Sequence, residues 1–196
     1  MARDRINQWA ALPFFNPTKV LREACRQGFH HKLRGRPTLP PDVVRSERKR
    51  LIEDLDAAVF AHGIREMLPD RDVCIAEFEA QDHDFVLRFG PAEKPGYCPL
   101  QLKVLVPTGV NPTLTIESLL SGLAKYASAS DLVVAIKVDR PDIDPRALTM
   151  PVLGVAELWF FGPCPRSADG WYLYGDCLGT PDWFEFHLPP GKPCAT

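Results

Sequence analysis

The chain has no long apolar run: its most hydrophobic strand-like stretch, 132–138 (LVVAIKV), is far shorter than the ~20 residues needed to span a bilayer. A membrane crossing is therefore not expected. The first residues, MARDRINQ, are charged and carry no apolar segment behind them, so no secretory leader is expected and the cytoplasm is the expected location. Six cysteines are scattered without a C-x-x-C pair or a His at ligand spacing, which argues against a structural zinc and for free thiols. Walker loops, Gly-x-Ser-x-Gly elbows and Gly-x-Gly-x-x-Gly turns are all missing, which removes the sequence support for nucleotide hydrolysis, esterase chemistry and dinucleotide binding. There is no internal repeat.

What is present is ordinary globular composition, 45% hydrophobic and 24% charged, over 196 residues, enough for one core and too little for two. Twenty prolines and 13 glycines favour short elements joined by many turns over a helical bundle. The net charge of −2 conceals a division along the chain. Residues 1–50 hold 12 Lys/Arg against 4 Asp/Glu, while the remainder holds 11 against 21. The expected organisation is a basic N-terminal arm over 1–41, in which Lys32, Arg34 and Arg36 would contact nucleic-acid phosphates, followed by one acidic domain over 42–196. The competing use of the arm is to neutralise that acidic body.

Apolar residues at a 3.6-residue period (Val44, Leu51, Leu55, Val59, Ile64, Met67) predict a helix over 42–67. The pattern then changes to strands over 73–81, 84–89 and 100–106, with Asp82 and His83 as a tight link and a Gly/Pro-rich loop over 90–99. Thr115 caps a predicted helix over 115–128, and 132–138 reads as a buried strand. Two aromatic-rich strands, 157–161 and 171–174, complete the reading as a C-terminal β-hairpin.

Alternation along a strand places residues i and i+2 on one face, so Gln101 and Lys103 point together while Leu100, Leu102 and Val104 point away. Asp84 opens the preceding strand, and Glu77 and Glu79 share one face of the strand before it. An Asp opening an apolar strand (Asp84-Phe-Val-Leu), followed seventeen positions on by Gln101-Leu102-Lys103 in the next strand, resembles the PD-(D/E)XK nuclease superfamily. A second triplet, Glu47-Arg48-Lys49, has no strand-opening Asp before it and is set aside.

The resemblance covers roughly residues 45–138. It implies an α/β, restriction-endonuclease-like core of helix, three-stranded meander, helix and strand, with the C-terminal hairpin as an addition. It further implies a Mg²⁺-dependent endonuclease acting on DNA, with Asp84, Gln101 and the Leu102 carbonyl as metal ligands and Lys103 steadying water and the phosphorane. Glu77 and Glu79 are further catalytic candidates, Glu53 or Glu66 would supply a first-helix acid, and Lys125 would contact phosphate. Gln101 stands where most members carry an acid, and Gly122 stands where the RecB-like branch has Gln four residues before Tyr126. Two alternatives remain: a catalytically silent nuclease-like domain that binds nucleic acid or protein, and an α/β interaction protein that forms a homodimer through its aromatic hairpin.

Overall fold

The computed structural model describes residues 2–27, 45–126, 129–167 and 169–190. Four α-helices are described: α1 (Ala2–Ala10), α2 (Pro17–Arg26), α3 (Arg45–Met67) and α4 (Ile116–Gly122), the last continued by a 3₁₀ turn over Leu123–Tyr126. Seven strands, β1 (Val73–Glu77), β2 (Phe85–Phe89), β3 (Gly96–Leu105), β4 (Val133–Val138), β5 (Glu157–Pro163), β6 (Gly170–Gly175) and β7 (Asp182–His187), form one mixed sheet in sequence order. β1, β2 and β3 are antiparallel, β3, β4 and β5 are parallel, and β6 and β7 return antiparallel. The change to parallel pairing needs a crossover, and α4 supplies it between β3 and β4.

Both faces of the central strands are covered, which is why β4 reads as an unbroken apolar run in place of an alternating one. Leu100, Leu102, Val133 and Ala135 pack on the face held by α2 and α3. Leu105, Val134, Ile136 and Val138 pack on the face held by α4 and its 3₁₀ extension. The middle of α3 is enclosed on all sides: Ala57, Ala58, Val59, Phe60 and Ala61 are fully buried. Gly63 lets β7 approach, because a Cβ there would lie 2.8 Å from the Phe186 ring.

Several boundaries differ from expectation. β1 ends at Glu77, and the link to β2 is drawn tight by Phe78 N–H donating to Asp84 O (3.0 Å) and Ala80 N–H donating to His83 O (2.9 Å), so Asp82 and His83 do occupy a hairpin tip. β3 starts at Gly96, inside the expected loop. Pro99 is tolerated there because pairing with β4 begins only at Leu100, leaving no partner on that side for the missing N–H. β7 extends the expected two-stranded addition to three. Residues 2–27, the described part of the expected arm, form α1 and α2 against the body: Trp9 and Leu21 are buried, and Phe15 makes a β-bridge to Ile75.

The aromatic residues expected to form a dimer interface are used inside the chain. Trp159, Phe160, Phe161, Trp171 and Tyr172 are all buried, against α3 on one face and the α4 side on the other. These five therefore lend a homodimer no support, while Tyr174, the sixth aromatic of the expected pair of strands, is partly exposed. Among the described residues, no helix is long and apolar enough to cross a membrane.

Candidate functional site

β2 and β3 bring Asp84 and Gln101 together. Asp84 N–H donates to Leu100 O at 3.1 Å, which anchors the strand start beside β3. The Gln101 side chain, 4% exposed, lies on the α4 face. Its Nε2 donates to Asp84 Oδ2 and, at 3.2 Å, to the Leu102 carbonyl. Its Oε1 accepts from the Tyr126 hydroxyl at 2.8 Å. All the hydrogen-bonding groups of this buried amide are thus engaged, as burial demands. Lys103 follows Gln101 by two residues, on the same face by strand alternation, and is half-buried. It makes no hydrogen bond or ion pair with the described residues.

The chemistry of this donor set bears on whether a hard cation suits it. The Gln101 NH₂ group, carrying partial positive charge, bridges a carboxylate oxygen of Asp84 and the backbone carbonyl oxygen of Leu102. Magnesium is held in many sites by one or two carboxylates, with water and substrate phosphate completing the octahedron. Asp84 and the Leu102 carbonyl meet part of that requirement with a single negative charge, while the Gln101 amide oxygen is turned away to Tyr126. Among the described residues there is no cluster of three or more His, Cys, Asp or Glu that could hold a metal.

The other candidates are placed elsewhere. Glu77 pairs directly across from Phe85, whose side chain belongs to the α3 face, and Glu77 is bound there by Arg50 from α3. It therefore lies on the side of the sheet opposite Asp84 and Gln101. Glu79 falls beyond the end of β1 and is exposed. Glu53 pairs with Lys49 (3.5 Å), and Glu66 lies 3.8 Å from His62, both on the helix that covers the opposite face. Lys125 is exposed, with its Nζ 4.9 Å from the Tyr126 ring centre, one residue from the hydroxyl that holds Gln101. Lys32, Arg34 and Arg36 lie outside the described residues.

Two further groupings were not anticipated from the sequence. His83 is buried at the hairpin tip, its Nδ1 2.7 Å from Asp82 Oδ1, stacked on Phe78 and met edge-on by Trp9 of α1. Arg5 of α1 reaches Asp82 (3.7 Å) and Asp131 (3.4 Å), so α1 is fastened to the turn from which Asp84 emerges. The second is a buried ion network on the α3 face: Lys137 Nζ lies 2.9 Å from Asp56 and 3.3 Å from Asp139. Burial pushes the Asp56 carboxyl up to about 6 even though the Lys137 charge opposes the shift. Burial works against the Lys137 ammonium, but the two carboxylates outweigh it and raise its pKa. The signal was a Lys inside an otherwise apolar buried strand, which requires counter-charges on whatever packs there.

A cleft of about 450 Å³ opens beyond the C-terminal ends of β4 and β5, lined in part by Asp144, Arg146, Tyr172 and Trp183. These four groups are engaged with one another: Arg146 is bidentate on Asp144 and lies over Trp183, whose ring stacks on Tyr172 at 4.3 Å.

No protein-family model, curated protein or solved structure matches this chain.

Proposed function

We propose that this chain is a Mg²⁺-dependent deoxyribonuclease of the PD-(D/E)XK type. The observation that carries the reading is the meeting of Asp84, at the opening of β2, with Gln101 of β3, while Lys103 follows on the same face. The order of helix, antiparallel meander, helical crossover and parallel strand supports a restriction-endonuclease-like core.

In this reading Asp84 and the Leu102 carbonyl would hold the cation, joined by the Gln101 amide oxygen if that side chain turned. When bound, the divalent ion supplies Lewis-acid activation of water and neutralises charge developing on the phosphate. Lys103, held half-buried on β3, orients the attacking water and stabilises the pentacoordinate phosphorus with its ammonium charge. Lys125 at the rim of the same face offers a phosphate contact. The direct test is incubation of the purified chain with supercoiled and linear DNA, with Mg²⁺ and with EDTA. Cleavage that requires Mg²⁺ is the expected result, and metal-independent or absent cleavage counts against it.

A second reading, a catalytically silent nuclease-like domain that binds nucleic acid, is favoured by one observation. The Gln101 NH₂ group satisfies Asp84 and Leu102 without any cation. DNA binding that persists in a chain with no measurable affinity for Mg²⁺ or Mn²⁺ would select it.

A further inference from the structure

The Asp84–Gln101 contact poses a stereochemical problem that Tyr126 is placed to solve. A carboxamide presents an oxygen that accepts and a nitrogen that donates two hydrogens. Here the nitrogen end faces the Asp84 and Leu102 oxygens and the oxygen end faces Tyr126. To contribute its oxygen toward Asp84, the amide has to turn by half a rotation, and its two N–H groups then lose both of their acceptors. The side chain is almost wholly enclosed, so water is a poor replacement. The group at the other end is a hydroxyl, and a hydroxyl both donates and accepts. Tyr126, itself buried, is therefore the residue type that can serve either end of the amide.

We propose that Tyr126 is the positioning residue of the metal site: its hydroxyl donates to Gln101 Oε1 while the amide nitrogen covers Asp84, and accepts from Gln101 Nε2 once the amide turns to give its oxygen to a divalent cation. This rests on the metal-dependent reading above. It makes cation binding at Asp84 a coupled event, in which the two hydrogen bonds that Gln101 donates are given up for one metal–oxygen contact and the third, to Tyr126, is reversed. It also assigns a use to the Tyr that closes the 3₁₀ turn after α4, on the element that forms the crossover. Removing the hydroxyl harms the two states unequally. In the metal-free arrangement it leaves a carbonyl oxygen under-satisfied, whereas in the turned arrangement it removes the one protein acceptor left to the amide N–H groups, the rarer and less tolerated defect.

The experiment uses the full chain with Mg²⁺ as the probe. The Gln101 side-chain NH₂ resonances in a ¹H–¹⁵N spectrum are assigned by their loss in Gln101→Glu and followed during a Mg²⁺ titration, and Mg²⁺ affinity is measured by calorimetry in the parent and in Tyr126→Phe. The expected result is a large shift of the Gln101 NH₂ pair on Mg²⁺ binding, with affinity roughly five- to tenfold weaker in Tyr126→Phe. Equal affinity in the two proteins overturns the role of Tyr126 and leaves Asp84 as a metal site. An NH₂ pair unmoved at Mg²⁺ saturation of the parent overturns the turning of the amide, whether or not Tyr126→Phe folds. A parent that binds no Mg²⁺ overturns the metal-dependent reading itself, whether or not Gln101→Glu binds it.

Discussion

Lys103 and Asp84 have different standing in the fold although they share a face. Lys103 is half-buried and holds no described partner, so Lys103→Ala should leave the melting temperature close to that of the parent while lowering Mg²⁺-dependent cleavage by roughly 10²–10³-fold, the usual scale for removing a group that stabilises transition-state charge. A variant that folds and cuts like the parent would remove Lys103 from the mechanism. Asp84 also accepts from the buried Gln101 amide. Asp84→Ala should therefore abolish cleavage and in addition cost roughly 1–3 kcal/mol in urea denaturation, because it strands a buried donor. Unchanged stability would mean that the amide finds another acceptor. At this scale alternation along β3 made the shared face of Gln101 and Lys103 legible, and the strand-opening Asp84 was singled out by the resemblance. The Tyr126 partnership was not, because the two residues lie 25 positions apart and nothing in their spacing joins them.

Elements are tied by buried polar groups as well as by apolar packing. Thr18 of α2 hydrogen-bonds His62 Nδ1 of α3 at 3.0 Å, and His62 Nε2 donates to His187 O at the end of β7 at 3.0 Å, an arrangement that a neutral ring satisfies; burial accordingly lowers its pKa. The Asp56–Lys137–Asp139 network ties α3 to β4 in the same way. Lys137→Met should destabilise the protein by roughly 3–5 kcal/mol at pH 7, because two carboxylates lose the cation that shares their burial. The pH dependence has a definite sign. The Asp56 carboxyl sits at about 6 in the folded chain against an ordinary value of 3.8, so between these values the folded state holds a proton that the unfolded state releases, and stability falls as pH rises through that window. Loss of Lys137 raises the folded value further and extends the fall to higher pH. Denaturant titrations of the parent and Lys137→Met at several pH values check this, and a gap between the two proteins that stays constant from about pH 4 to 8 would contradict it.

For the molecule as a whole, the question is what the basic N-terminal region serves. Part of it is committed to the fold: Trp9 packs on His83, Leu21 and Ala24 pack in the α3 core, and Arg5 pairs with Asp82 and Asp131. Deleting the first 40 or so residues would therefore expose apolar surface and confuse binding with stability. Charge reversal at Lys32, Arg34 and Arg36 leaves those anchors in place. If the segment contacts DNA, that triple variant should bind more weakly, and the slope of log affinity against log salt should flatten by about 3, near 0.9 for each phosphate no longer neutralised. Affinity and salt slope equal to those of the parent would show that these charges serve the acidic body of the chain instead.

The local patterns of the sequence determined the strands and helices that carry a clear period: α3, the meander from β1 to β3, α4 and β4 all follow from spacing, caps and β-branched runs, and with them the placement of Gln101 and Lys103 on one face. Two assignments needed the folded chain. Glu77 carries the same residue type as a site acid, yet its register against Phe85 directs it toward α3, and register depends on pairing with a neighbour and not on the strand's own residues. The aromatic residues of β5 and β6 are as apolar as an interface would require, yet most of them are buried in the chain's own two apolar clusters, with α3 on one face and Trp183 of β7 stacked on Tyr172 on the other. Hydrophobic burial is non-directional, so a sequence shows that such side chains will be covered, while only the tertiary arrangement decides what covers them.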